Sequence, residues 1–171
     1  MSATRDTTTL REATSATTVV IGLGNVVLSD DGLGVHAVRR LRERRAAGDD
    51  VKLIEGGTAG LLLLPHLADA RRAILVDAID AGAAPGTLTR LDGEDWMSAF
   101  SIRMTPHEVA LEDLLGAAQL CGAWPEELVL LGAQPASIAL GTEPSPPVAA
   151  AIDSLVDAIV AELEVWGAVC A

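Results

Sequence analysis

Three separated fragments hold side chains of types and spacing that could do chemistry. Gly22-Leu23-Gly24-Asn25-Val26-Val27-Leu28-Ser29-Asp30-Asp31-Gly32-Leu33-Gly34 carries an acidic doublet. Val76-Asp77-Ala78 ends an apolar run on a carboxylate, and Thr105-Pro106-His107-Glu108 presents an imidazole. Asp31, Asp77 and His107 together offer two oxygens and one nitrogen, a donor set suited to a borderline divalent cation such as nickel or zinc. Three protein donors leave positions for water or substrate, as in a catalytic or transient site rather than a closed structural one. The chain has no HExxH or GxSxG motif and no Cys/His pairing pattern to suggest another centre.

Each fragment also has a plainer explanation. Acidic residues at a helix start are favoured by capping and by the helix dipole, so one of Asp30 and Asp31 could do only that. Asp77 follows Ala73-Ile74-Leu75-Val76, and a carboxylate at the end of a buried strand needs a partner, which a loop amide could provide. Thr-x-x-Glu has capping-box spacing and Pro suits the first helical position, which puts His107 in a helix's first turn. The positive end of the dipole favours neutral imidazole there, the form that binds metal. An exposed first-turn histidine is the alternative. His36 and His66 fall within expected helices away from acidic loops and are given no role.

The elements that must position these residues follow from the apolar pattern. Strands are expected at 17–22, 51–55, 71–77, 87–91 and 127–132. Helices are expected at 31–45, 58–70, 105–120 and 144–166. Leu61 to Leu64 are expected to pack inward, and the strand at 87–91 alternates like an edge. The order β-α-β-α-β-β-α-β-α predicts a single-domain, three-layer α/β/α fold. Its open, twisted sheet of about five strands is mostly parallel, and right-handed crossovers leave few topologies. Ligands of such sheets bind beyond the carboxyl ends of the strands where strand order reverses. Neighbouring first and third strands would bring Asp31 and Asp77 together. Residues 1–16, rich in Thr, Ser and Ala without periodicity, read as a disordered extension before one domain at 17–171.

Composition narrows the function. The 171-residue chain has a formal net charge of -12, one Phe, three Trp and no Tyr. Such a chain repels phosphate backbones and lacks aromatic platforms for bases, so no nucleic-acid partner is expected. The core must be aliphatic, as in a buried parallel sheet. Cys121 and Cys170 form no disulfide framework. No signal-peptide pattern or membrane-length apolar run is present, which points to a cytoplasmic protein with no membrane partner. Gly22-Leu23-Gly24 after a strand invites a dinucleotide reading, supported by Glu55 at the end of the second strand. Val27, however, stands where the third glycine belongs, and two aspartates would repel a pyrophosphate.

The chain resembles the [NiFe]-hydrogenase maturation endopeptidases. The resemblance runs from about Val19 to Ala161 and rests on five blocks in the same order: GLGNVVLSDDGLGVHAVRRL, EGGTAGLLLL, ILVDAIDAGAAPGTLTRL, MTPHEVALEDLL and LVLLGAQP. It implies an α/β fold and removal of a C-terminal extension from a hydrogenase large-subunit precursor after nickel insertion. The family's metal-site residues fall on Asp31 (Glu in some members), Asp77 and His107, the three residues already selected. The turn Gly56-Gly57-Thr58-Ala59-Gly60 matches the family's loop near the cleft and is implied to help recognise substrate. Nickel would come with the precursor rather than be held tightly by the protease, and a monomer suits docking on a large partner. No Ser or Cys has a nucleophile's setting, so attack by water is expected, activated by metal or by Asp31 or Asp77. The alternatives are a non-proteolytic chaperone for a metalloenzyme precursor, a nucleotide-binding α/β protein and a general peptidase.

Overall fold

A computed structural model describes residues 18–93, 95 and 108–169. The expected extension at 1–16, His107 and Cys170 lie outside the described residues. Five strands form one sheet: β1 (Thr18–Leu23), β2 (Val51–Gly57), β3 (Arg72–Ala78), β4 (Leu88–Asp92) and β5 (Glu127–Ala133). The helices are α1 (Leu33–Arg44), α2 (Leu64–Ala68), α3 (Glu108–Leu120) and α4 (Pro146–Val165).

The sheet order is β2-β1-β3-β5-β4, parallel except for β4, which runs antiparallel along β5. The chain leaves β1 for β2 on one side and later returns to place β3 on the other. Strand order therefore reverses between β1 and β3, which opens a crevice at their carboxyl ends.

Alternation along the central strands divides the core. Val20, Ile74 and Val76 face a layer built from α1 and α4, with Leu33, Val38, Leu41, Leu155, Ile159 and Leu163. Val19, Ile21 and Leu75 face the opposite layer, with Leu63, Leu67, Leu111, Leu114 and Leu115. Leu111, Leu114, Leu115 and Ala118 form the i, i+3, i+4, i+7 stripe of a helix buried on one side. β4 alternates exposed and half-buried residues, as expected of an edge. Arg40 and Arg44 on α1 pair with Asp153 and Asp157 on α4, exposed contacts that add little stability.

Two helices differ from the sequence expectation. The segment at 58–70 is not one helix but a 3-10 turn, Gly60–Leu63, followed by the five-residue α2. Leu63 and Leu67 are buried, whereas Leu61 and Leu62 point into solvent. Four consecutive leucines cannot all face one layer of a helix with 3.6 residues per turn. α1 begins at Leu33 rather than Asp31, because a 3-10 turn at Ser29–Gly32 carries the acidic doublet.

The start of α1 lies hard against the sheet. A Cβ added to Gly34 would lie 2.0 Å from the Val76 carbonyl oxygen and 2.6 Å from the Leu23 amide nitrogen. Replacing Gly34 by Ala therefore forces backbone apart and is expected to cost about 3 kcal/mol or more, at or above the usual overpacking range. Gly116, inside α3 with open space around it, is the contrast: Gly116→Ala is expected to stabilise by about 1 kcal/mol. Urea denaturation midpoints of the two variants test the difference.

Candidate functional site

The loop after β1 folds back over the end of its own strand. Gly24 adopts φ +101, a conformation that side chains rarely tolerate, and its amide donates to the Gly57 carbonyl at 3.0 Å. That bond ties the loop to the Gly56–Gly60 turn, where Gly57 and Gly60 also have positive φ. Asn25 makes the next turn by accepting the Val27 amide on its side-chain oxygen at 3.1 Å.

Asp31 and Asp77 meet around Gly24. A Cβ there would lie 1.7 Å from the Asp31 carbonyl oxygen and 3.4 Å from Asp77 Oδ1. Both residues are buried, at 3 % and 7 % exposure. Asp31 Oδ2 accepts the Asn25 amide at 2.7 Å, and Asp77 Oδ1 accepts the Ala78 amide at 2.8 Å. Amides thus orient both carboxylates at the switch point of the sheet. His107, the third residue selected from sequence, lies outside the described residues. Among the described residues no three His, Cys, Asp or Glu side chains converge into a metal-binding group, so this crevice supplies two carboxylates.

Asp30 has a different task from its neighbour. It is fully buried and accepts the amides of Ala136, Ser137 and Ser145 and the Ser145 hydroxyl, at 2.6 to 2.9 Å. Burial alone would raise its pKa, but these four hydrogen bonds outweigh it and hold the carboxyl below the ordinary aspartate value. Asp30 therefore latches the loop after β1 to the loop between β5 and α4. Its role is structural, but the contacts differ from helix capping.

Gln134 is a buried polar residue that the sequence reading passed over. Its Oε1 accepts the Ala81 and Ala83 amides and its Nε2 donates to Asp80 Oδ1, fastening the chain that leaves Asp77 to the end of β5. A glutamine ending the apolar run Leu128–Ala133 was the available signal.

The expected recognition turn borders a shallow cleft of about 220 Å³ lined by Gly24, Asn25, Val26, Val35, Arg39, Glu55, Gly57 and Thr58. Thr58 is exposed, and Gly56 is buried against Ile21 and Leu63. Glu55 accepts hydrogen bonds from Arg42 and Arg39, which hold its carboxyl below the usual range. Those contacts occupy the acid that a dinucleotide ribose would need. α1 also starts ten residues beyond the end of β1 rather than at the glycine loop, so the nucleotide alternative loses its anion-binding helix terminus.

His66 is exposed on α2. His36 lies one turn into α1, with its Nε2 buried and lacking a hydrogen-bond partner among the described residues. Burial and then Arg39 lower its pKa, against an opposing pull from Glu143, which favours the neutral ring.

The sheet order β2-β1-β3-β5-β4 between two helical layers, with Asp31 and Asp77 at the β1/β3 switch point, defines an open α/β protein that lacks the glycine-loop helix terminus of a dinucleotide-binding domain. The family model described as hydrogenase maturation protease matches residues 35–162. The hydrogenase expression/formation protein HupD of Rhodobacter capsulatus is 40% identical over 152 residues, covering 87% of this chain and 72% of the relative. The hydrogenase 2 maturation protease of Escherichia coli is 35% identical over 150 residues, covering 87% and 92%. The solved hydrogenase maturating endopeptidase HybD from E. coli superposes with a TM-score of 0.81 at 35% identity, covering 88% of this chain and 94% of that one. The [NiFe] hydrogenase maturation protease HybD from Thermococcus kodakarensis superposes at 0.72 with 26% identity, over 86% and 98%. The chain belongs to the hydrogenase maturation protease family and is a peptidase.

Asp30 gives a pH test of its role as a latch. With a folded pKa below the unfolded value, its contribution to stability is complete above the unfolded pKa and is lost as pH falls through the folded one. Unfolding free energy should therefore decline below about pH 4, and Asp30→Asn should remove this part of the decline. At pH 7 that variant should be about 2 kcal/mol less stable, because the amide cannot accept all four hydrogen bonds. Urea titrations between pH 3 and pH 7 measure both effects.

Proposed function

We propose that this protein removes the C-terminal extension of a [NiFe]-hydrogenase large-subunit precursor that already carries nickel. The convergence of Asp31 and Asp77 at Gly24, in a chain of the maturation protease family, carries the reading. Its partner is the precursor and its metal is the precursor's cargo.

Asp31, Asp77 and His107 engage that nickel as it enters the crevice. Carboxylate and imidazole donors suit a borderline cation, and two or three protein donors complete a sphere that the precursor supplies in part. An unloaded precursor lacks the cation that satisfies the carboxylates, so discrimination arises from differential binding. Hydrolysis then adds water oxygen to the scissile carbonyl carbon, breaks the C–N bond and delivers a proton to the leaving amine. Nickel can polarise the carbonyl or acidify the water, and a neighbouring carboxylate can accept its proton. The Gly56-Gly57-Thr58-Ala59-Gly60 turn, hydrogen-bonded to the loop of Asp31, borders the substrate path.

The test is incubation with the cognate precursor, with and without nickel, read by intact mass. Loss of a C-terminal peptide from the loaded precursor alone is expected. Asp31→Ala, Asp77→Ala and His107→Ala should each slow cleavage about 100-fold or more while the denaturation midpoint shows a folded protein. A stable complex without loss of mass would favour a chaperone, and normal cleavage by any of the three variants would remove that residue from the site.

A further inference from the structure

Eight large apolar side chains are exposed among the described residues, and their distribution is uneven. Leu120 and Val165 end α3 and α4 at the amino end of the sheet, where the Trp166 carbonyl accepts a hydrogen bond from Arg72 at the start of β3. The other six, Val27, Leu61, Leu62, Leu88, Ile138 and Leu140, lie at the carboxyl end, which also carries Asp31 and Asp77.

Five of the six are on three loops joined through their backbones. Gly141 donates to the Val27 carbonyl at 3.0 Å and accepts the Ser29 amide at 2.8 Å, which sets Leu140 beside Val27. Ser29 Oγ adds a bond to the Ala139 carbonyl at 2.9 Å. On the other side, the Gly24–Gly57 bond joins the same loop to the turn that presents Leu61 and Leu62. Apolar side chains thus stand on the loop that carries Asp31 and on the two loops hydrogen-bonded to it. Concentrated exposure of this kind marks an interaction surface, whereas scattered single leucines do not.

We propose that this rim docks an apolar segment of the precursor chain next to the scissile bond. The inference rests on the function proposed above and assigns the surface that recognises the substrate. A peptidase must hold polypeptide at the edge of its site, and this rim is continuous with the loops carrying both acids. The neighbouring cleft of about 220 Å³ is smaller than ordinary ligand pockets and has Arg39 and Glu55 paired with each other in its wall. At the carboxyl end of the sheet, docking of a chain segment therefore falls to the rim rather than to this cleft. Charge excludes one class of occupant: Asp80 and Glu143, on the loops after β3 and β5 in a chain of net charge -12, disfavour an acidic segment.

The test compares Leu62→Ser and Leu140→Ser with Leu120→Ser and Val165→Ser at the opposite end. Leu62 and Leu140 are 79% and 86% exposed, so serine should leave the fold intact. In steady-state cleavage of the nickel-loaded precursor, each rim variant should raise KM about tenfold with kcat nearly unchanged, and the far-end variants should match the unaltered protein. Equal KM values for rim and far-end variants, with the unaltered protein active, would overturn the inference and leave the proposed function standing. Loss of self-association without change in KM would assign the rim to a second copy and would also overturn it. Failure of the unaltered protein to cleave would instead defeat the proposed function, and the docking inference with it.

Discussion

Residue 34 can carry no side chain because the Val76 carbonyl occupies the space, and residue 24 is constrained in the same way by the Asp31 carbonyl. These two close approaches decide how the loop after β1 lies on the sheet. Gly34 lets the first turn of α1 rest on the carboxyl ends of β1 and β3. Gly24, with its left-handed backbone, lets the chain between them fold inward rather than out into solvent. Asp31 is thereby set next to the end of β3, where Asp77 stands. Both carboxylates are buried there, and backbone amides hydrogen-bond to each of them. Two oriented carboxylates at a switch point suit a site that receives a cation.

The acidic doublet shows how neighbouring residues of one type can divide the work. Asp30 and Asp31 share a 3-10 turn, whose tighter winding directs their side chains apart. Asp30 is enclosed by four donors from the loop after β5, and Asp31 turns to the Asn25 amide in the loop after β1. Gln134 fastens the exit of β3 in a comparable way. Both carboxylates thus sit on segments held by buried polar contacts to β5 or the loop that follows it. Contacts of that kind hold both segments in place at the end of the sheet.

Much of this was legible in the sequence because its central strands are continuous apolar runs bounded by glycine or charge. The run Ala73–Val76 ending on Asp77 could hardly be anything but a buried strand with a carboxylate at its tip. Doubly wound topology then brought Asp31 beside it. The parts that were not legible have physical reasons. The leucines at 61–64 satisfy a helical pattern and a 3-10 turn equally well, so their exposure depends on Gly60, whose positive φ opens the 3-10 turn, and on Pro65 in the first turn of α2. Nothing local separates Asp30 from Asp31, since the donors that enclose Asp30 come from residues more than a hundred positions away. Gln134 was obscure for the same reason: its partners lie on another loop.

In the proposed function, Asp31 and Asp77 receive nickel carried by the precursor. The most direct measurement is the nickel X-ray absorption spectrum of the loaded precursor, recorded alone and in complex with the protein before cleavage. Added oxygen donors are expected in the complex, reduced when either aspartate is replaced by asparagine. An unchanged nickel environment in a complex that goes on to cleave would contradict it.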